Sequence, residues 1–427
     1  MRLLSIIASI LFLAAIESGC VAAVADPQKT PTQAPFQKGS TAPQAPDIII
    51  RGGGGGLLIP APPDFNIKTY GAKCDGQNDD TQAMQAAIDA AEASSGGVVY
   101  VPSSSGYCEI RGNAITFGPQ IGEWLVIVLD NSVMINSGSL AIPQRTAILG
   151  LRGTLYFNST FFNTAQLLAT GDFPVITMRG TGTGFYFDHV DFMITVGNPS
   201  SCPVLITDDG SGSPTIITFD HAHFFAYGTA SPGGICAIPS APGVITGYGL
   251  NVFNSHFEML THSLNLTNFG IVKVRGGQWN SGMAVLTAGQ IPCMGDFTFE
   301  DIITEDASAP FLTVNSIGVG INDIYIHRIQ IADPIGPRYL IRHNSSNNNS
   351  LSGVEVGSFA AGIDAVFDPA STPNHVRSVT SLNTAVPSPA MCSSLLVPNG
   401  DGHWFFSGSV SAPPGACSSS EYTVLVK

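Results

Sequence analysis

The sequence has few charged residues, and bases are the scarcest of them. Only 11% of its 427 residues are charged, and 31 acids outnumber 17 Lys and Arg, which gives a formal net charge of −14. So few bases argue against a protein that neutralises the phosphates of DNA, RNA or anionic lipid. The low charge argues against a coiled coil or helical bundle. With 44% hydrophobic residues, the chain is also not disordered throughout.

Long apolar runs are scarce as well. The main run, at residues 3–16, is too short for a good membrane anchor. Residues 23–25, Ala-Val-Ala, match the small-x-small cleavage site of a secretory signal peptide. We therefore predict a signal peptide at 1–25 and a mature protein without a membrane span, which is secreted, periplasmic or at the cell surface. Lipidation of Cys20 is the alternative.

Glycine and proline, by contrast, are abundant, with 47 and 29 residues. Residues 26–63 carry eight of the prolines and a run of five glycines. Such a segment buries too little apolar surface to offset its ordering entropy. The sequence therefore predicts a flexible Pro/Gly-rich linker over 26–63, followed by a turn-rich, all-β protein.

Eight cysteines are present, seven of them after the predicted signal peptide. They form no CxxC motif and no Cys/His spacing typical of zinc fingers, so we expect disulfides in an oxidising compartment and no metal site. Sequence alone leaves the connectivity open. Pairing nearest neighbours joins Cys74 to Cys108, Cys202 to Cys236 and Cys392 to Cys417, and leaves Cys293 over.

An ordered segment begins at residue 65. Phe65–Tyr70 alternates apolar and polar residues like a strand. Asp80 is expected to cap a helix, because its carboxylate can accept hydrogen bonds from the free amides of the first turn. Apolar residues recur at helical spacing over 83–91. Gly96-Gly97 is expected to end the helix, and Val98–Val101 to form a strand.

The same segment carries a family resemblance, whose residues are Tyr70-Gly71-Ala72-Lys73, Asp75-Gly76, Asp79-Asp80-Thr81, Gly96-Gly97, Val98-Val99-Tyr100-Val101-Pro102 and Tyr107. Together they resemble the opening of the pectate-lyase-superfamily domain, the rhamnogalacturonase/epimerase-like pectate lyase group. The resemblance implies an all-β fold, a single-stranded right-handed parallel β-helix with an N-terminal capping helix. The Asp and Gly residues of this segment are expected to form turns and caps, and the resemblance implies no catalytic residue in it.

An imperfect repeat supports this fold independently. Its pattern is apolar-x-apolar, three turn-like residues, any residue, then apolar, and stacked copies would bury a continuous core. The second apolar residue of each copy is Phe187, Phe219, Val252, Val274, Phe299, Ile326 or Val356. The last apolar residues predict an internal aromatic stack of Phe192, Phe224, Phe257 and Trp279. We assign the β-helix to 64–385 and a C-terminal β cap to 386–427, where the repeat fades.

Each copy of the repeat is expected to form one rung, which is a single turn of the coil. Residues at equivalent positions of stacked rungs become neighbours about 4.8 Å apart. The pattern places three columns of such residues on the outside of the coil. The first is Asp188, Asp220, Phe253, Arg275, Glu300, His327; the second is His189, His221, Asn254, Gly276, Asp301, Arg328; the third is Asp191, His223, His256, Gln278.

These columns predict a catalytic site. Adjacent carboxylates of Asp188 and Asp220 would not both ionise freely, which provides one acid and one base for glycoside hydrolysis. His223 and His256 would assist as acid/base groups. The residues predicted to bind substrate are Asp191, His221, Arg275, Glu300 and Asp301.

Three functions stay open. The leading one is hydrolysis of a polysaccharide, the predicted partner, with no cofactor. The second is a polysaccharide lyase, for which Ca²⁺ would be the cofactor. The third is a non-catalytic glycan-binding or adhesion protein, favoured because the rungs lack the Asn-Thr-Asp and Gly-His-Gly segments of polygalacturonase-like hydrolases. In that case the outward Asp, Asn and His side chains would only satisfy backbone amides at turns.

Overall fold

A computed structural model describes most of the chain between residues 64 and 356, with short strands on either side. The described ranges are 64–118, 124–150, 165–197, 199–210, 212–226, 231–258, 260–280, 282–289, 295–305, 310–332, 339–345 and 351–356, with the strands 48–52, 55–59, 365–367, 379–381, 396–398, 404–406 and 424–426. The predicted signal peptide and Cys20 lie outside these residues.

Strands dominate the described residues, which contain one α-helix, α1 (Thr81–Ala93). The first strands are β1 (Ile48–Gly52), β2 (Gly55–Ile59), β3 (Asp64–Asn66), β4 (Gly97–Val101), β5 (Cys108–Ile110), β6 (Leu125–Leu129), β7 (Val133–Ile135), β8 (Leu140–Ile142), β9 (Thr146–Gly150), β10 (Gln166–Ala169) and β11 (Ile176–Arg179). The middle strands are β12 (Gly182–Asp188), β13 (Asp191–Ile194), β14 (Val204–Thr207), β15 (Pro214–Asp220), β16 (His223–Ala226), β17 (Ile235–Ala237), β18 (Gly247–Phe253), β19 (His256–Glu258), β20 (His262–Thr267), β21 (Phe269–Arg275) and β22 (Gln278–Asn280). The last strands are β23 (Gly282–Ala288), β24 (Phe297–Glu305), β25 (Leu312–Ser316), β26 (Ile321–Ala332), β27 (Tyr339–Ser345), β28 (Leu351–Val356), β29 (Ala365–Phe367), β30 (Val379–Ser381), β31 (Leu396–Pro398), β32 (Trp404–Phe406) and β33 (Val424–Val426).

The coil has three faces, each built from parallel strands of successive rungs. Face A runs through β9, β12, β15, β18 and β21, and face B through β7, β10, β13, β16, β19 and β22; β24 continues round both. Face C is a separate nine-stranded sheet from β8 to β29. Parallel pairing of strands that lie 20 to 45 residues apart in sequence gives the predicted single right-handed β-helix.

The predicted repeat matches the observed register. Phe187, Phe219, Val252, Val274, Phe299, Ile326 and Val356 are partners on consecutive strands. On face B, the rings of Phe192, Phe224, Phe257 and Trp279 stack with centroid separations of 5.4, 4.4 and 4.0 Å. All four side chains are buried, so the column is a continuous aromatic core.

Helix α1 is confirmed near the N-terminal end of the coil. Its buried residues are Thr81, Ala83, Met84, Ala87, Ile88 and Ala91, which follow the predicted helical spacing. The helix ends at Ala93, and Gly96, with a φ of 113°, turns the chain toward β4.

Two local predictions at this end are wrong. The predicted strand Phe65–Tyr70 stops at Asn66, whose side chain accepts a hydrogen bond from the Lys68 amide and starts a 3₁₀ turn, Ile67–Tyr70. Asp80 stands at the N-cap of α1 but makes no capping bond. Asp79 accepts the Thr81 amide in its place, at 3.0 Å.

The predicted linker contains an antiparallel hairpin of β1 and β2, in which Ile48 pairs with Ile59 and Gly52 with Gly55. Of the predicted C-terminal cap, strands β31 and β32 pair with each other, and β33 pairs in parallel with β30. The assignment of residues 386–427 to a separate C-terminal cap stays a prediction.

Two of the predicted disulfides are present, Cys74–Cys108 and Cys202–Cys236. The other three cysteines, Cys293, Cys392 and Cys417, lie outside the described residues. In the part of the chain that the structure describes, no helix has the length and hydropathy needed to cross a bilayer.

Candidate functional site

The outward columns lie in the predicted register. Asp188 is the partner of Asp220, and the same position continues through Phe253, Arg275, Glu300 and His327 on the following rungs. On face B, Asp191 pairs with His223, His223 with His256, and His256 with Gln278. The fold therefore brings together residues that lie 22 to 33 apart in sequence.

The second column forms the corner between faces A and B. All six of its residues have positive φ: His189 (54°), His221 (48°), Asn254 (47°), Gly276 (71°), Asp301 (58°) and Arg328 (48°). The amide of His189 donates to the carbonyl of Asp220, and the amide of His221 donates to that of Phe253. This corner turns each strand from face A to face B and projects its side chains outward.

Two aspartate–histidine pairs stand at this corner on consecutive rungs. His189 Nδ1 lies 2.6 Å from Asp188 Oδ1, and His221 Nδ1 lies 2.9 Å from Asp220 Oδ1. His221 Nδ1 is also 3.9 Å from Asp188 Oδ1, so this imidazole lies between both carboxylates. The two rings stack, with centroids 4.6 Å apart and planes within 11°. Each carboxylate thus fixes the orientation of an imidazole.

A cleft of about 560 Å³ opens beside the corner. Its lining residues are His189, His221, Ala222, Asn254, Ser255, His256, Gly277, Gln278, Asp301 and Ile303. The imidazoles of His189 and His221 therefore line the cleft, and their carboxylate partners lie behind them. Of the predicted acid/base residues, Asp188 and Asp220 contact the imidazoles and do not line the cleft.

Electrostatics at the corner favour a charged His189. The hydrogen bond to Asp188 raises the pKa of His189, although partial burial opposes the shift.

Tyr186 lies two residues before Asp188 on β12. Burial raises its pKa, and the charges of Asp188 and Asp220 raise it further, so the phenol stays protonated near neutral pH.

The third column places a second histidine pair beside the cleft. His223 Nε2 lies 3.4 Å from Glu258 Oε2, and His256 Nε2 lies 3.7 Å from the same oxygen. The imidazole of His223, and next that of His256, hold the pKa of Glu258 far below its usual range. Asp191 is buried, and its Oδ1 is 3.9 Å from His223 Nδ1.

The remaining predicted binding residues form an ion-pair network. Arg275 Nε lies 3.4 Å from Asp301 and 3.8 Å from Glu300, and Arg328 contacts both acids as well. Arg328 holds the pKa of Asp301 below its usual range. Arg275 therefore pairs with two neighbouring acids, and its predicted role in substrate binding stays a prediction.

Two residues at the centre of the site were not among the predicted site residues. His189 lies in the second outward column. Asp188, which precedes it in the sequence, was the signal that could have identified His189 as a site residue. Glu258 lies two residues after His256, which places both side chains on the same side of β19 because side chains alternate along a strand.

Comparison with known proteins gives one family and several relatives. Residues 65–104 match the family described as Rhamnogalacturonase A/epimerase, pectate lyase-like. Mannuronan C5-epimerase AlgE3 of Azotobacter vinelandii is 42% identical over 101 residues, 21% of this chain and 6% of that protein. Alginate lyase 7 of the same organism is 41% identical over 78 residues, 16% of this chain and 9% of that protein.

The chain spans less than a tenth of the length of these two relatives. Among solved structures, PfbA, a surface adhesin of Streptococcus pneumoniae, is similar with 13% identity and a TM-score of 0.33 over 84% of this chain and 99% of that one. The coil of parallel rungs and the match at its start lead to one conclusion. This protein is a right-handed parallel β-helix whose residues 65–104 match the family described as Rhamnogalacturonase A/epimerase, pectate lyase-like.

Proposed function

We propose that this protein is an exported enzyme that acts on a polysaccharide by proton transfer through His189 and His221. The observation that carries the proposal is the pair of stacked, carboxylate-bound imidazoles on the wall of the cleft. A carboxylate partner keeps an imidazole in one tautomer and makes it a better base. Two disulfides fit an oxidising, extracellular location.

Lysis or epimerisation of a uronate polymer is the chemistry that two adjacent imidazoles suit best. Both reactions begin with removal of the proton at C5, α to the uronate carboxylate, by a base. In lysis the C4–O glycosidic bond then breaks and an acid protonates the leaving oxygen, whereas in epimerisation C5 receives a proton on its opposite face. Ring centroids 4.6 Å apart supply the two roles within one sugar unit. Two relatives that the chain resembles over short stretches are named as a mannuronan C5-epimerase and an alginate lyase, which supports this substrate class.

Hydrolysis is the second candidate, and the pairing of Asp188 with Asp220 on adjacent strands favours it. One carboxylic acid would protonate the glycosidic oxygen while the other carboxylate acts as nucleophile or base. For this mechanism, both carboxylates must leave their imidazole partners and reach the substrate. The non-catalytic alternative predicts binding of a glycan without turnover.

The test is a product assay of the full secreted protein on alginate, polygalacturonate and neutral polysaccharides. Three signals are read: ultraviolet absorbance of an unsaturated uronate, new reducing ends, and uptake of solvent deuterium at C5. Absorbance or deuterium uptake is the expected result. Reducing ends alone would establish hydrolysis and overturn proton abstraction, and no signal on any substrate that binds would overturn an enzymatic role.

Substitution of one imidazole separates catalysis from folding. His221→Gln removes the base and keeps the size and polarity of the side chain, so we expect at least a 100-fold loss of turnover. His327→Gln is the matched control, because His327 occupies the first outward column several rungs further on and does not line the cleft. Equal turnover in both variants would contradict the assignment.

A further inference from the structure

A second cluster on face B has the composition of a metal site. It consists of His223 on β16, and of His256 and Glu258 on β19. One ligand atom from each side chain lies within 4.8 Å of the other two. Parallel pairing makes His223 and His256 direct neighbours, and strand alternation places Glu258 on the same side as His256.

The distances fit a tetrahedral ion. Glu258 Oε2 lies 3.4 Å from His223 Nε2 and 3.7 Å from His256 Nε2. Two ligand atoms held about 2.0–2.1 Å from a tetrahedral zinc are themselves about 3.3–3.4 Å apart. The two separations from Glu258 are thus close to those around a bound ion, and all three ligand atoms lie within 4.8 Å of one another.

The surroundings of His223 also favour metal binding. Its Nε2 is buried and makes no well-aligned hydrogen bond among the residues that the structure describes, so its contact is the Glu258 carboxylate at 3.4 Å. On the other side of the ring, Nδ1 lies 3.9 Å from Oδ1 of the buried Asp191. Asp191 itself accepts a hydrogen bond of 3.3 Å from Gln166. A carboxylate behind an imidazole fixes the tautomer that presents its other nitrogen to a metal.

We propose that His223, His256 and Glu258 bind a transition-metal ion, with zinc as the ion they fit best, and that Asp191 positions His223. Two imidazoles and one carboxylate suit zinc and its neighbours, whereas calcium and magnesium prefer oxygen ligands throughout. Three protein ligands leave the fourth position of zinc open. Because His256 lines the cleft, that position would face it and take water or a hydroxyl or carboxylate oxygen of a bound molecule.

Two other groups in the described residues also bring three ligand atoms together. Cys74 and Cys108 are joined in a disulfide and do not offer thiolates. Asp188, His189 and His221 form the corner pairs, in which both Nδ1 atoms already contact carboxylates. Zinc binding at the corner is therefore the competing outcome that the experiment has to separate.

The test is direct metal binding to the full protein without an affinity tag, and it needs no substrate. After treatment with a chelator and dialysis, the protein is titrated with zinc by calorimetry and with cobalt by visible absorption. We expect one equivalent of zinc to bind, a cobalt spectrum of a four- or five-coordinate ion that zinc abolishes, and no competition from excess calcium. Absence of zinc binding would overturn the proposal, whatever the product assay shows.

Four variants locate the ion. Glu258→Gln and His223→Ala should weaken zinc binding at least 100-fold, and Asp191→Asn should weaken it about 10–100-fold as a positioning residue. His221→Ala is the control and should leave the affinity unchanged. Circular dichroism verifies that each variant is folded, and Glu258→Gln, at a half-exposed side chain, serves if His223→Ala does not fold. Loss of binding in His221→Ala but not in Glu258→Gln would place the ion at the corner and overturn the assignment.

Discussion

At the scale of single residues, Asp80 ties the first turns of the coil together. Its carboxylate is buried and accepts the amides of Lys73 and Cys74, at 2.7 and 3.1 Å. It also accepts the amide of Glu109, at 3.3 Å, from a strand 29 residues further on. One side chain thus joins the loop before α1 to strand β5, which adjoins the core.

Removal of this carboxylate should be costly. Asp80→Ala leaves buried backbone amides without acceptors, and each such group costs about 1–3 kcal/mol, so we expect the free energy of unfolding to fall by about 3 kcal/mol or more. Asp89→Ala on the exposed side of α1 is the control and should change stability by less than about 0.5 kcal/mol. Urea unfolding followed by circular dichroism measures both; similar midpoints for the two variants would contradict this role.

The charge of His189 gives a pH dependence whose sign follows from its neighbour. Because the bond to Asp188 raises the pKa of His189 above its unfolded value, protonation favours the folded state. This stabilisation is complete below the unfolded pKa and is lost as pH rises through the folded pKa. Proton NMR should show His189 titrating above its ordinary value, and Asp188→Asn should lower that pKa. An unchanged titration in the variant would contradict the pairing.

At the scale of elements, two columns of left-handed residues define the edges of face A. One is the corner between faces A and B. The other lies near the strand starts, where Gly184, Ile216 and Gly249 are successive neighbours with φ of 81°, 56° and 72°. Glycine adopts this conformation freely, whereas a β-branched residue is strained in it. Ile216 therefore carries a local cost that its neighbours avoid.

Relief of that strain should stabilise the coil. Ile216 is 59% exposed, so replacement loses little burial, and Asn tolerates positive φ. We expect Ile216→Asn to raise the free energy of unfolding by about 1 kcal/mol. Ile217→Asn, one residue along and fully buried, should lower it by about 3 kcal/mol or more. A destabilised Ile216→Asn would show that its side chain contributes more than its backbone costs.

The aromatic column on face B gives the strongest packing test. Phe224 is fully buried between Phe192 and Phe257, with ring centroids 5.4 and 4.4 Å away. Phe224→Ala should cost about 3–5 kcal/mol, and Phe224→Leu clearly less, because Leu leaves a smaller cavity. Thermal melting of both variants gives the comparison, and equal losses would argue against tight packing at this rung.

The sequence was sufficient for the register but not for the contacts made at it. Anchors such as Phe187 and Phe219 alternate with outward residues, so a strand period of two fixed which side chains face out and which rungs pair. The left-handed corner carries no comparable signal, because His, Asn, Asp and Arg occupy it beside a single glycine. Which polar atoms meet there depends on that backbone geometry. The contacts within the Asp–His pairs, and those of Glu258 with His223 and His256, therefore emerged only from the structure.

At the scale of the whole molecule, each described disulfide joins residues 34 apart, about one rung of chain. A closed loop of this length stabilises by about 3–4 kcal/mol through the entropy of the unfolded chain. Replacement of both Cys202 and Cys236 by Ala should lower the free energy of unfolding by about that amount. Replacement of Cys202 alone should cost at least as much. Unfolding that is unchanged by reducing agent would contradict this contribution.

The stacked corner has a consequence for how such a chain can change over evolutionary time. Two successive corner residues lie one rung apart along the axis of the coil, whether 22 or 33 residues of chain separate them. Insertions between rungs therefore leave the corner untouched, while conventional alignment treats them as large gaps. Deletion or duplication of an entire rung would instead move a whole row of functional groups up or down as a unit. New arrangements of outward side chains are thus accessible by recombination of rungs, without redesign of any single strand.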